Sequence, residues 1–153
     1  MFDSWRHISP SDPVISPRSI RSQKQRAENG AAKKQKATVL VVDDERVIAD
    51  SMTEILRRSG FDAVCAYDGL SALELALRIT PDFVLTDVVM PRMNGVQLAI
   101  AIRKALPATE ILLLSGQAGI TEIVEGGRQE GYLFELIAKP IHPEKLLQRL
   151  RTH

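Results

Sequence analysis

The sequence predicts a doubly wound α/β fold, in which helices cover both faces of a parallel sheet. Three observations predict it. Four short, almost wholly apolar runs, at 38–42, 83–85, 111–114 and 136–138, have the length and lack of alternation expected of strands buried on both faces. Segments with helical spacing of apolar residues separate these runs. Glycine and proline punctuate the boundaries, as at Gly60, Pro81 and Pro107.

Taken in order, the strand 38–42 leads into a helix over 46–58. Val47, Met52, Ile55 and Leu56 are expected along one face of it, and Gly60 stops it. A strand over 63–67 follows, then a helix over 71–79 capped by Ser71 or Gly69, with Pro81 just beyond. The strand 82–86 opens into a loop through Pro91 and Gly95, and a helix over 96–106 ends before Pro107. A strand at 110–114, a weak helix within 120–130, a strand at 133–138 and a helix over 143–151 complete the chain. Interior glycines cost about 1 kcal/mol each relative to alanine, so Gly126-Gly127 predict that the fourth helix is short or labile. Five βα units imply right-handed crossovers in one domain.

A chain of 153 residues, 44% hydrophobic and 25% charged, can bury one sizeable core and has ordinary soluble composition. No apolar run approaches the roughly 20 residues that span a bilayer. The N-terminus lacks a hydrophobic signal core. Cytoplasmic location, with no membrane partner, is therefore expected. Cys65 has no second cysteine to pair with, and its apolar neighbours predict a small core residue. The net charge of +1 divides unevenly. Residues 1–37 hold eight Lys/Arg and three Asp/Glu, whereas residues 38–153 hold twelve and sixteen. The first segment is polar and aperiodic and reads as a disordered basic extension: a solvated tail, the product of a start codon assigned too early, or an arm for nucleic acid or an acidic partner. Residues 38–153 form the domain.

Each apolar run ends in chemistry. Asp43-Asp44-Glu45, Asp87, Ser115-Gly116 and Lys139-Pro140 follow four of the strands. In parallel sheets ligands bind beyond the carboxyl ends of the strands, so these residues converge. An acidic turn after the first strand repels phosphate unless a cation intervenes, and carboxylate oxygens with water suit Mg²⁺. Asp43, Asp44 and Asp87 thus form a candidate Mg²⁺ site with room for phosphate. The plainer reading, that Asp43 and Asp44 cap the next helix, does not account for Asp87 and Lys139 at equivalent positions. Asp87 has two open roles, third metal ligand or nucleophile forming an acyl phosphate. Lys139 supplies a point charge for phosphoryl oxygens, Pro140 is a candidate cis proline that fixes its direction, and Ser115 is small enough to turn its hydroxyl toward them.

The segments Val-Leu-Val-Val-Asp43-Asp44-Glu45, Leu85-Thr-Asp87-Val-Val-Met-Pro91-Arg-Met-Asn-Gly95, Leu-Leu-Ser115-Gly116 and Ala-Lys139-Pro140 together resemble the receiver domain of bacterial two-component response regulators, in order and over 38–153. The resemblance implies a flavodoxin-like five-stranded sheet, order 2-1-3-4-5, with five helices. It implies a signalling switch rather than an enzyme, beyond its own phosphoryl transfer and autodephosphorylation. Asp87 would accept phosphate from a phosphohistidine of a sensor histidine kinase or histidine phosphotransfer protein. Mg²⁺ would be held by Asp44, Asp87 and the Val89 backbone carbonyl, with Asp43 acting mostly through water. Lys139 would contact the phosphoryl group and Ser115 would bond to it on activation.

Three departures stand out. Leu136 occupies a position that is often aromatic in the family, while Phe134, two residues earlier, is expected on the same side of the strand. Gly126-Gly127 falls in a region that the family moves on activation. Val89 and Gln117 occupy positions that tune phosphoryl lifetime, and apolar, β-branched Val89 predicts a long-lived phosphoryl group. His7, His142 and His153 support no kinase, and Val89 stands where an aspartate-nucleophile hydrolase carries its second aspartate. The end of the sequence after the last helix suggests a stand-alone receiver without a DNA-binding domain. Such a protein would act on an unknown downstream protein through its last two βα units, near 119–130, Leu136 and 145–151, where a homodimer is also expected. The alternatives are a phosphorelay intermediate and a phosphorylation-independent adaptor.

Overall fold

The computed structural model describes residues 35–116 and 120–152. Residues 1–34 of the basic extension expected over 1–37, and Gln117, lie outside them. Five strands, β1 (Thr38–Val42), β2 (Asp62–Ala66), β3 (Phe83–Asp87), β4 (Glu110–Ser115) and β5 (Glu135–Ala138), alternate with five helices. The helices are α1 (Arg46–Arg58), α2 (Gly69–Ile79), α3 (Gly95–Ala105), α4 (Ile120–Gln129) and α5 (Pro143–Arg151). All strand pairs are parallel and the sheet order is β2-β1-β3-β4-β5, as expected.

Strand alternation sends successive side chains to opposite faces. Leu40, Val42, Val84 and Leu113 join a cluster with Ala72, Leu98 and Ile102 from α2 and α3. Val39, Val41, Leu85 and Leu112 join Ala49 and Leu56 of α1 and Leu146 and Leu150 of α5. Burying a side chain of this size stabilises by about 1.5–3 kcal/mol, so these double-sided strands are the main source of cohesion.

On α1 the buried face is Ala49, Thr53 and Leu56, and Val47 is 78% exposed, against expectation. Two residues before Ala49 is about 200° around a helix, so once Ala49 faces the sheet Val47 faces away. The Thr53 hydroxyl donates to the Ala49 carbonyl at 2.7 Å, which satisfies it inside the core. The cap of α2 is Asp68, not Ser71 or Gly69; its carboxylate accepts from the Ser71 N–H at 2.8 Å, which holds it below the usual carboxylate range. Asn94 and Gln97 form a reciprocal capping box at the start of α3.

Cys65 is also corrected. It lies half-buried on the edge strand β2, with its thiol 3.5 Å from the Asp50 carboxylate and 3.6 Å from the Tyr67 hydroxyl. The β5 strand starts at Glu135, two residues later than expected. Arg149 of α5 binds Glu135 at 2.7 Å and Glu110 at 3.2 Å, tying the last helix to the edge strand β5 and to its neighbour β4.

Candidate functional site

Sheet order and register build the site. β1 and β3 are neighbours with Val42 opposite Thr86, so Asp43 and Asp87 leave adjacent strands at the same level. Asp87 pairs with Leu114 and Ser115 with Ala138, which puts Ser115 and Lys139 on the same rim. β1 and β3 also flank the point where strand order reverses, the usual ligand crevice of such sheets. The crevice here has a volume of about 540 Å³ and is lined by Asp44, Glu45, Ile48, Asp87, Val89, Gly116, Lys139 and Pro140. Ordered water takes about 30 Å³ per molecule, so there is space for a phosphoryl group and several waters.

Lys139 Nζ lies 3.3 Å from Asp43 Oδ2 and 3.5 Å from Asp87 Oδ2. The Asp43 side chain is only 2% exposed and that of Asp87 14%. The Glu45 N–H donates to Asp43 Oδ1 at 2.9 Å, fixing the carboxylate from the other side. One oxygen from each of Asp43, Asp44 and Asp87 lies within 4.8 Å of the others. Three carboxylates against one ammonium leave the cluster short of positive charge, and the donors are all hard oxygens. That set fits Mg²⁺, which binds through one or two carboxylates and retains waters.

The electrostatics reflect this shortage. Burial raises the Asp87 pKa above the ordinary carboxylate value; Lys139 opposes the rise and Asp43 adds to it. For Lys139, burial is the largest influence and disfavours its charge, but Asp87 and Asp43 together outweigh it and raise its pKa. Ser115 is buried at the end of β4, and its carbonyl accepts from the Lys139 N–H at 2.7 Å. The Lys139–Pro140 peptide bond is cis. Val89 donates its backbone N–H to Asp87 and exposes 47% of its surface beside the crevice.

Asp43, Asp44, Asp87 and Lys139 are thus brought together, Val89 lines the same crevice, and Ser115 ends the neighbouring strand. Sequence reasoning missed two glycines that make the geometry fit. A Cβ on Gly95 would fall on the Asp87 carbonyl, and one on Gly116 would lie 3.2 Å from Lys139 Cδ. Their adjacency to Asn94 and Ser115 is the signal that carried this information, since glycine permits a close backbone approach. Phe134 packs against the buried cluster on the α2–α3 side, while Leu136 is 43% exposed.

Residues 39–151 match the response regulator receiver domain family, and the chain belongs to that family of signalling switches. It is 36% identical over 118 residues to the "probable transcriptional regulatory protein TcrX" of Mycobacterium tuberculosis, covering 77% of this chain and 50% of TcrX. It is 34% identical over 114 residues to the DNA-binding response regulator MtrA of Mycobacterium leprae, covering 74% of this chain and 49% of MtrA. Among solved structures it is similar to the chemotaxis protein CheY4 of Vibrio cholerae, at 30% identity and a TM-score of 0.67 over 77% of this chain and 98% of that one. A receiver domain from Clostridium thermocellum superposes with a TM-score of 0.68 at 26% identity, covering 76% of this chain and 92% of that one.

The chain spans about half the length of the curated relatives it matches. Those relatives are named as transcriptional or DNA-binding regulators, which corrects the expectation of a receiver without a DNA-binding domain. That expectation used the end of the sequence, which is not a property of the fold. No helix among the described residues is long and apolar enough to cross a membrane.

Proposed function

We propose that this domain accepts a phosphoryl group from a phosphohistidine onto Asp87 and thereby switches a signalling output. The observation that carries the reading is the placement of Lys139 Nζ between Asp43 and Asp87, at 3.3 and 3.5 Å, inside a three-carboxylate crevice. A lysine so placed offsets part of the charge of both carboxylates before transfer and would face the phosphoryl oxygens after it.

In the step itself an Asp87 carboxylate oxygen attacks phosphorus, the P–N bond of the donor breaks and its electron pair returns to the imidazole. Asp43, Asp44, Asp87 and the Val89 carbonyl are the residues that would hold Mg²⁺. When bound, the ion supplies charge neutralisation on the transferring group. The protein contributes position: Glu45 N–H and Lys139 fix Asp43, and Val89 N–H and Lys139 fix Asp87. Ser115, buried at the end of β4, would donate its hydroxyl to the phosphorylated product.

The test is intact-mass measurement after incubation with Mg²⁺ and a small acyl phosphate. The mass should rise by one phosphoryl group, and the gain should vanish in Asp87→Asn and on chelation of the metal. A folded protein that gains nothing from any donor would instead favour phosphorylation-independent action.

A further inference from the structure

Away from the crevice, α4 packs on the first turn of α3 through Gly127. A Cβ there would lie 2.7 Å from Val96 Cγ1, nearer than unbonded carbons approach. Val96 is 4% exposed and β-branched, so it is held in essentially one rotamer and cannot swing aside. Its neighbour Gly95 donates its N–H to the Val88 carbonyl at 2.8 Å. A Cβ on Gly95 would fall on the Asp87 carbonyl and 2.9 Å from Val88 Cα. Contact therefore runs from α4 through Val96 and Gly95 to the backbone of Asp87.

The last turn of α3 makes a second contact with the same region. The Arg103 guanidinium lies 5.3 Å from the Phe134 ring centre, and Tyr132 stacks on Phe134 at 6.1 Å. The Tyr132 N–H in turn donates to the Gly127 carbonyl at 3.0 Å. Arg103 Nε is buried and without a hydrogen-bond partner among the described residues, so the ring face is its evident hold. Both ends of α3 are thus seated against α4 or the loop leaving it.

We propose that α3 is a stiff link that couples the position of α4 to segment 87–95, by a route that bypasses residue 136. The proposal rests on the phosphoacceptor reading only in the meaning given to Asp87; the contacts stand without it. Coupling is reciprocal, so displacing α4 must change cation affinity at the crevice as much as cation binding biases α4.

Gly126 supplies a matched control. A Cβ on Gly126 meets nothing within 4 Å, so Gly126→Ala and Gly127→Ala make the same chemical change on the same helix, and only one touches Val96. Two readouts are needed: Mg²⁺ affinity by calorimetry, and amide hydrogen exchange of residues 87–95 in metal-free protein. Gly127→Ala should change Mg²⁺ affinity several-fold and speed exchange in 87–95. Gly126→Ala should keep the wild-type Mg²⁺ affinity and should not speed exchange, and adding Val96→Ala to Gly127→Ala should restore both. Equal exchange in the two alanine variants would overturn the proposal. If Gly127→Ala does not fold, Val96→Ala alone should speed exchange in 87–95 and 120–129 together, and a change confined to one segment would overturn it. A wild type that binds no Mg²⁺ and takes no phosphoryl group would defeat the functional reading, while the exchange result would still decide the coupling.

Discussion

Asp87 meets two opposed demands. Burial raises its pKa, yet the proposed nucleophile must be ionised, and Lys139 opposes part of the rise. Replacing Lys139 with methionine removes that positive charge and raises the Asp87 pKa further. Because only the deprotonated carboxylate attacks, the rising limb of the rate-against-pH profile should move to higher pH, and the rate near neutrality should fall. The profile measured with a small acyl phosphate checks this, and an unmoved limb would contradict it. Val89 is the other single-residue determinant. Its apolar side chain lines the crevice and offers no hydrogen bond to an attacking water. Val89→Asn should therefore lose its phosphoryl group faster than wild type; equal or slower loss of label would end this account of Val89.

At the scale of elements, two glycines give opposite expectations. Gly95→Ala places a methyl group on the Asp87 carbonyl and should destabilise the domain by about 1–3 kcal/mol, the usual cost of overpacking. Gly126→Ala adds a methyl group in open space within α4 and should stabilise it by up to about 1 kcal/mol through helix propensity. Chemical denaturation of both variants measures the signs, and equal signs would contradict the packing described. Helix ends were legible in the sequence because Gly60, Pro81 and Pro107 act locally. Which face a helix buries was less legible. The apolar set on α1 suggested Val47, but beside the expected Leu56 the sheet takes Ala49 and Thr53, whose small side chains allow close approach. The Asp68 cap was missed because its role depends on the turn between β2 and α2. Cys65 was misplaced because its apolar flanks do not reveal that β2 is a sheet edge.

The whole molecule adds a linkage. Asp43, Asp44 and Asp87 meet only when β1 and β3 pair, so the unfolded chain has no equivalent cation site. Mg²⁺ should raise the unfolding free energy by about 2.7 kcal/mol at a hundredfold excess over its dissociation constant. Thermal melts with and without Mg²⁺ measure this, and Asp87→Asn should shrink the increment. Sheet order and the convergence of Asp43, Asp87, Ser115 and Lys139 were legible because short apolar strands each end in one functional group. The role of Gly127 was not, because its contact with Val96 joins two helices whose packing no local pattern encodes.

The most direct test of the central claim is to locate the phosphoryl group. After reaction with an acyl phosphate and Mg²⁺, borohydride reduction converts a phosphorylated aspartate into a stable product that peptide fragmentation can place. The product should appear at Asp87 alone. Its appearance at another carboxylate, or phosphate retained on Ser115 or a histidine, would contradict the account.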